Sequence, residues 1–131
     1  MPTRRRPRVL LADDDASICK AVARLLSESC QVVDCVGDTA ALFDAITRFR
    51  PDVVLLDLSL PGGPGWRATS RSIQATAPDV KVVVFTAHHD EELPALAAEN
   101  GAAAVVWKVR ASDDLLRTIH AVVDGETAAG D

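Results

Sequence analysis

The 131 residues of this chain suit one domain with one core, and they leave little room for a second domain. Apolar residues make up 48% and charged residues 25%, which is a globular composition, and no apolar run approaches the roughly 20 residues of a membrane span. The net charge of -5 argues against a nucleic-acid-binding surface, because such binding depends on Lys and Arg neutralising phosphates. We therefore expect a soluble protein that stays in the cytoplasm and contacts neither membrane nor nucleic acid directly.

The two ends of the chain differ from its middle. Residues 1–7 are rich in arginine and predict a basic, disordered leader, because Asp13 interrupts the apolar run that a signal peptide would need. Residues 126–131 read as a tail or as the start of a linker. Residues 8–125 are the predicted domain.

Short apolar runs alternate with helical patterns along the domain. The valine-rich runs of strand length are residues 9–12, 32–36, 53–56, 80–85 and 103–107. Apolar residues recur at helical spacing in residues 18–26, 42–49 and 115–122, and residues 90–100 carry a weaker helical pattern. Because crossovers between parallel strands are right-handed, this alternation predicts an open α/β sheet with a crevice at its carboxyl edge.

Several polar residues and one glycine mark where helices begin and end. Asp38 and Ser112 are suited to cap helix N-termini, and Asp113 and Asp114 fall where the helix dipole favours acidic residues. Gly101 stands where a helix would close, because glycine readily adopts the left-handed conformation of that position.

Three cysteines, Cys19, Cys30 and Cys35, show no CxxC spacing. An odd number without such spacing indicates neither a disulfide framework nor a zinc site. We expect all three to be buried thiols.

Polar side chains follow four of the five predicted strands. Asp13 and Asp14 follow the first, Asp57 ends the third, Thr86 ends the fourth and Lys108 ends the fifth. Carboxyl ends of parallel strands share one edge, so these residues should converge on one crevice. Clustered carboxylates repel one another and either raise a pKa or recruit a cation. An all-oxygen donor set favours a hard ion, and Mg²⁺ is the natural choice.

A carboxylate beside Mg²⁺, with an ammonium and a hydroxyl across the pocket, has the parts needed for phosphoryl transfer. In that interpretation Asp57 becomes an acyl phosphate. The simpler interpretation is that Asp14 and Asp15 only cap the first helix. One of them is expected to do so, yet capping requires neither three acids nor a lysine from a distant strand.

Four segments, in this order, resemble the receiver domains of bacterial two-component response regulators: VLLADDD, VVLLDLSLPGGPG, VVVFTA and GAAAVVWK. Each is weak alone, but together they cover about residues 8–125 and each falls on the matching strand. The resemblance implies a flavodoxin-like, doubly wound five-stranded parallel sheet of order 2-1-3-4-5 with helices on both faces.

The resemblance also implies the site residues. Asp57 would be the phosphoacceptor, Asp14 the principal direct Mg²⁺ ligand and Asp13 its partner. The main-chain carbonyl of Ser59 would be a further ligand.

Two more positions complete the implied switch. Lys108 would pair with the phosphoryl group or with Asp57, and Thr86 would turn its hydroxyl toward the phosphoryl group. The donor in this family is a phosphohistidine on a sensor histidine kinase, and phosphorylation shifts a conformational equilibrium. Such a domain catalyses only its own phosphorylation and dephosphorylation. It signals through surface helices, where it can form a homodimer.

The departures from the family pattern concern output. Val105 stands where the family usually has a tyrosine or phenylalanine, and Trp107 lies on the same strand face and is a candidate replacement. By the same resemblance, His88 occupies the position that in receiver domains flanks the pocket and tunes hydrolysis of the acyl phosphate, although an exposed loop histidine is an equally good interpretation. Val109, in place of a common proline, is typical of the subfamily with a helix-turn-helix output domain, which no segment of this chain supplies.

Parts of the sequence also fit three alternative functions. The loose dinucleotide fingerprint at residues 63–68 lies six residues past its strand and behind the third strand, so NAD binding is disfavoured. A haloacid-dehalogenase-type phosphatase would need a second acid where Ser59 stands. A receiver-fold docking module that is never phosphorylated stays open, because Val105 departs from the usual switch.

Overall fold

The computed structural model describes residues 6–125, and a single five-stranded sheet organises them. Its strands are β1 (Arg8–Ala12), β2 (Gln31–Val36), β3 (Val53–Leu56), β4 (Lys81–Thr86) and β5 (Ala104–Trp107). They lie in the order β2-β1-β3-β4-β5, and every neighbouring pair is parallel. The predicted order 2-1-3-4-5 and the five predicted strands are confirmed, with boundaries displaced by at most one residue.

Five helices connect and cover the strands. They are α1 (Ala16–Leu26), α2 (Thr39–Phe49), α3 (Trp66–Thr76), α4 (Leu93–Glu99) and α5 (Ala111–Val123). The weak helical pattern of residues 90–100 is therefore realised as α4. A 3-10 turn, Lys108–Arg110, precedes α5.

Each face of the sheet has its own apolar core, because successive side chains of a strand point to opposite faces. On β1, Leu10 packs in the core beneath α2, α3 and α4, whereas Leu11 packs in the core beneath α1 and α5. All four residues of β3 are fully buried. This two-sided burial explains why the strands read as continuous apolar runs rather than as alternating ones.

The helix α3 is the one described helix that the apolar pattern of the sequence does not predict. Its fully buried residues are Thr69, Ser70 and Ile73, and Trp66 packs against the core only partly buried, so Ile73 is the one large apolar side chain of this helix that is fully buried. Small polar residues can line a buried helix face without producing an apolar repeat. The presence of α3 follows from the crossover between β3 and β4 rather than from its own sequence.

The predicted helix boundaries hold with one exception. Asp38 caps α2 by accepting a hydrogen bond from the Ala41 N–H at 2.8 Å. Gly101 follows α4 with a φ of +87°, which is the left-handed conformation expected of a closing glycine. The prediction that Ser112 caps the last helix is wrong, because the 3-10 turn runs directly into α5 at Ala111. Asp113 and Asp114 do lie in its first turn.

The amino-terminal boundary lies slightly earlier than predicted. Arg6 donates hydrogen bonds to the main-chain carbonyls of Ser27 and Cys30, and the Pro7 carbonyl accepts one from the Gln31 N–H at 2.8 Å. Arg6 and Pro7 therefore contact the domain, contrary to their assignment to a disordered leader. The rest of that leader, residues 1–5, and the tail, residues 126–131, lie outside the described residues. Within residues 6–125 no helix is long and apolar enough to cross a membrane.

The expectation of three unpaired thiols is wrong for two of the cysteines. Cys19 of α1 and Cys35 of β2 form a disulfide, with their Cα atoms 6.2 Å apart. Cys30 is a free, buried thiol, and its burial raises its pKa although Arg6 opposes the shift. The pairing joins residues 16 apart in sequence, a spacing that carries no disulfide signal. It arises because α1 packs over β2.

Candidate functional site

The residue Asp57 stands at the carboxyl end of the most buried strand. Its N–H donates to the Ala12 carbonyl at 3.0 Å, so the pairing of β3 with β1 continues one residue beyond β3. A turn follows at once, in which the Leu60 N–H donates to the Asp57 carbonyl at 3.3 Å. The residue is only 7% exposed. The strand thus holds one carboxyl group at a fixed place on the sheet edge.

Two further carboxylates reach the same place from the end of β1. Asp13 is buried and Asp14 is exposed, and carboxylate oxygens of Asp13, Asp14 and Asp57 all lie within 4.8 Å of one another. Asp15 does not join them, because its side chain caps α1 by accepting from the N–H groups of Ser17 and Ile18. The predicted convergence of three acids is confirmed. The simpler interpretation, that Asp14 and Asp15 only cap the first helix, holds for Asp15 but not for Asp14.

The ammonium group of Lys108 closes the acidic cluster from β5. Its Nζ lies 2.6 Å from Asp13 Oδ2 and 3.3 Å from Asp57 Oδ1. The Lys108 side chain is 15% exposed, against 1% for Asp13 and 10% for Asp57, so water screens these contacts only in part. The resemblance implies that this lysine pairs with the phosphoryl group or with Asp57, and the sequence carries no signal for the shorter contact to Asp13.

Burial is the largest single influence on the pKa of Asp57 and on that of Lys108. It raises the pKa of Asp57, and the negative charge of Asp13 raises it further, while the Lys108 ammonium opposes the shift. For Lys108, burial alone would lower the pKa. The hydrogen bond and charges offered by Asp13 and Asp57 outweigh that effect, so the pKa of Lys108 is raised and the amine stays protonated.

The donor set of this cluster fits a divalent hard cation. Three carboxyl groups face one ammonium, so the formal charges of these four groups at neutral pH sum to −2. All the acidic donors are oxygens, which Mg²⁺ and similar ions prefer. Asp14 is exposed and Asp13 buried, so the cluster is open to solvent on one side.

The neighbouring strand supplies a hydroxyl. Thr86 ends β4 and is 1% exposed. Its Oγ1 accepts a hydrogen bond from the His88 N–H at 3.1 Å, which orients the hydroxyl within the loop that follows β4. Strand pairing places Thr86 beside Trp107, the residue that precedes Lys108.

Residues 9–120 match the family model described as response regulator receiver domain. The chain belongs to this family. Its fold agrees with the assignment, because the five-stranded parallel sheet of order 2-1-3-4-5 is that of receiver domains. The chain is therefore the receiver domain of a two-component response regulator.

Curated relatives of this receiver domain include a response regulator and an oxygen regulatory protein. The response regulator UvrY of Escherichia coli (strain K12) is 35% identical over 121 residues, which are 90% of this chain and 55% of UvrY. The oxygen regulatory protein NreC of Staphylococcus carnosus is 27% identical over 122 residues, or 92% of this chain and 56% of NreC. The chain thus spans about half the length of the curated relatives it matches.

Solved structures agree with the fold. A two-component response regulator of the LuxR family from Aurantimonas sp. SI85-9A1 superposes with a TM-score of 0.85 at 27% identity, covering 94% of this chain and 89% of that one. The signal receiver domain of NarL from Mycobacterium tuberculosis superposes with a TM-score of 0.77 at 27% identity, covering 93% and 97%.

The remaining residues singled out in the sequence lie on β5 and in the loops that follow β3 and β4. Val105 and Trp107 share one face of β5, as predicted, and both pack against the core beneath α2, α3 and α4. The Trp107 ring makes an edge-to-face contact with His89, with ring centroids 4.6 Å apart. His88 is exposed, and its described hydrogen bond to Thr86 uses its main chain. Ser59 is exposed in the turn after Asp57.

Proposed function

We propose that this receiver domain accepts a phosphoryl group on Asp57 from a phosphohistidine of a sensor histidine kinase, in a reaction that requires Mg²⁺. A carboxylate oxygen of Asp57 attacks the phosphorus atom, an O–P bond forms, and the N–P bond to the histidine breaks. The observation that carries the proposal is the cluster itself: three carboxylates within 4.8 Å, with one ammonium on two of them.

Four positions would hold the cation. They are the carboxylates of Asp13, Asp14 and Asp57 and the main-chain carbonyl of Ser59, with Asp14 as the principal direct ligand. When bound, Mg²⁺ would neutralise charge on the transferring phosphoryl oxygens. The carboxylate cluster supports this assignment, because its uncompensated charge matches that of one divalent ion.

The two remaining groups act on the phosphoryl group. Lys108 Nζ lies 3.3 Å from Asp57 Oδ1, so its ammonium is placed to contact an oxygen of the phosphoryl group whose phosphorus is bonded to that carboxylate. After phosphorylation, the Thr86 hydroxyl would reorient and donate a hydrogen bond to another phosphoryl oxygen. Such a movement would carry the signal from the site to the face of β5 that holds Val105 and Trp107. His88 would tune hydrolysis from the same loop.

The domain would act on no metabolite and would catalyse only its own phosphorylation and dephosphorylation. Its output would be transcription, exercised through a helix-turn-helix domain outside this chain or through a homodimer of receiver surfaces. The similarity to UvrY and to LuxR-family regulators supports a transcriptional role. We place the protein in the cytoplasm, where it would meet its kinase.

The test is intact mass after incubation with Mg²⁺ and acetyl phosphate. We expect one phosphoryl addition that is lost with EDTA and in Asp57→Asn. The matched control is Asp44→Asn, which removes an exposed carboxylate of α2 and should leave the addition unchanged. In Asp14→Ala the addition should require more Mg²⁺. If folded protein gains no phosphoryl group and binds no beryllofluoride, the non-phosphorylated docking module becomes the better function.

A further inference from the structure

The disulfide between Cys19 and Cys35 adjoins the acidic cluster. Sγ of Cys19 lies 3.6 Å from the main-chain carbonyl oxygen of Asp13, and Sγ of Cys35 lies 4.0 Å from the same oxygen. The Asp13 carboxylate, on the other side of that residue, contacts Lys108 at 2.6 Å. One residue therefore separates the sulfur pair from the site proposed for the cation.

The bridge also spans the two elements that hold the β1–α1 loop. Cys19 lies in α1, and its N–H donates to the carbonyl of Asp15, the residue that caps this helix, at 3.1 Å. Cys35 lies in β2, and the next residue, Val36, accepts a hydrogen bond from the Asp13 N–H at 2.9 Å. A covalent link between α1 and β2 thus fixes the loop that carries the acidic residues at both of its sides.

The pair is suited to open and close without rearrangement of the fold. Its Cα separation of 6.2 Å lies within the range that disulfides occupy, so the backbone need not move. Both cysteines are half-buried, whereas Cys30 is only 1% exposed, so the pair is more accessible to a small reagent than the third thiol. In a reducing compartment such a pair exists as two thiols, and bridges that form there are typically redox-sensing.

We propose that Cys19 and Cys35 are a reversible thiol–disulfide site whose closure strengthens divalent-cation binding by the adjacent carboxylates. The coupling to the cation rests on the proposed function, but formation of the bridge does not. Closure of the disulfide fixes the loop that bears Asp13 and Asp14 before the cation binds. Binding then costs less conformational entropy, and the affinity for the cation rises. Mg²⁺ is sensitive to this because it demands near-ideal octahedral geometry.

The oxidant is a low-molecular-weight disulfide. The thiolate of one cysteine attacks a sulfur of the reagent, forms a mixed disulfide and releases one reagent thiolate. The second cysteine then attacks the mixed disulfide at the protein sulfur, and the second reagent thiolate leaves. Two electrons pass from the protein to the reagent, and the two thiol protons end on the released thiols. A small thiol reverses both steps.

The bridge is tested by counting thiols. The chain is incubated with oxidised or reduced glutathione, unfolded, alkylated with iodoacetamide and weighed. We expect three labels on the reduced form, which has three cysteines, and one label on the oxidised form. Cys30→Ala should lose one label in each state and still close the bridge. If protein that was folded during the oxidation still takes up three labels, the thiol–disulfide site is overturned.

The coupling is tested by Mg²⁺ titration calorimetry on both redox forms. We expect the oxidised form to bind about fivefold more tightly, at the lower end of ordinary couplings between sites. Cys19→Ser and Cys35→Ser should each abolish the difference, whereas Cys30→Ala should keep it. Equal affinity of the two forms would overturn the coupling and leave the proposed function intact. Absence of Mg²⁺ binding in both forms would overturn the coupling together with the proposed function, while the thiol count still decides the bridge.

Discussion

The ammonium of Lys108 offers the sharpest test of how this site is held together. Lys108→Met keeps most of the length of the side chain and removes its charge. The change removes the ammonium group whose Nζ lies 2.6 Å from Asp13 Oδ2 and 3.3 Å from Asp57 Oδ1. Breaking a buried ion pair by removing one partner costs about 3–5 kcal/mol. Because the Lys108 side chain is 15% exposed, we expect a smaller loss, of about 2–3 kcal/mol at pH 7.

Urea unfolding followed by circular dichroism measures this loss. With a slope of roughly 1.5 kcal/mol per molar urea, the midpoint should fall by about 1–2 M. The matched control is Lys81→Met, which removes the same charge from an exposed position at the start of β4 and should change stability by less than about 0.5 kcal/mol. Equal midpoints for Lys108→Met and the wild type at pH 7 would refute the argument.

The pH dependence gives the same variant a second readout. Lys108 lowers the pKa of Asp57, so its removal raises that already raised pKa further. An acid whose pKa is raised by folding destabilises the fold while it is ionised, and stability recovers as pH falls through the folded-state pKa. The gap between Lys108→Met and the wild type should therefore narrow between pH 7 and about pH 4, near the ordinary carboxyl range. A gap that stays constant or widens on acidification would contradict this electrostatic origin.

Three further changes test other parts of the structure. Asp57→Asn should unfold at a higher urea concentration than the wild type at pH 7, because burial raises the pKa of Asp57 and its negative charge therefore destabilises the fold. The difference in midpoint should shrink on acidification, and a lower midpoint for Asp57→Asn at pH 7 would contradict this reasoning. Asp38→Ala should cost about 1 kcal/mol in thermal or urea unfolding through loss of the α2 cap, whereas Asp44→Ala on the same helix should not. Leu10→Ala should cost about 2–5 kcal/mol, because Leu10 is fully buried in the core beneath α2; a loss below 1 kcal/mol would mean that this core repacks freely.

Local pattern was sufficient for the five strands, and for helix boundaries at which a side chain binds a nearby main-chain group, whereas the strand order came from the family resemblance. The five apolar runs became five strands because burial on both faces demands apolar residues at every position. Asp38 capped its helix, since capping is a contact within three residues. Ser112 does not cap α5, because the 3-10 turn Lys108–Arg110 leads directly into the helix at Ala111. Where this helix begins depends on how β5 joins α5. The helix α3 left no apolar repeat because Thr69 and Ser70 fill its buried face.

The sequence by itself determined which chemical groups reach the carboxyl edge of the sheet. Strand ends are local features, and parallel topology brings them to one edge, so the meeting of Asp13, Asp14 and Asp57 was predictable. Tertiary structure alone decided which groups touch. It placed Lys108 closer to Asp13 than to Asp57, and it joined Cys19 to Cys35 beside the same residue. Such contacts depend on side-chain packing between elements distant in sequence, and no local spacing encodes those distances.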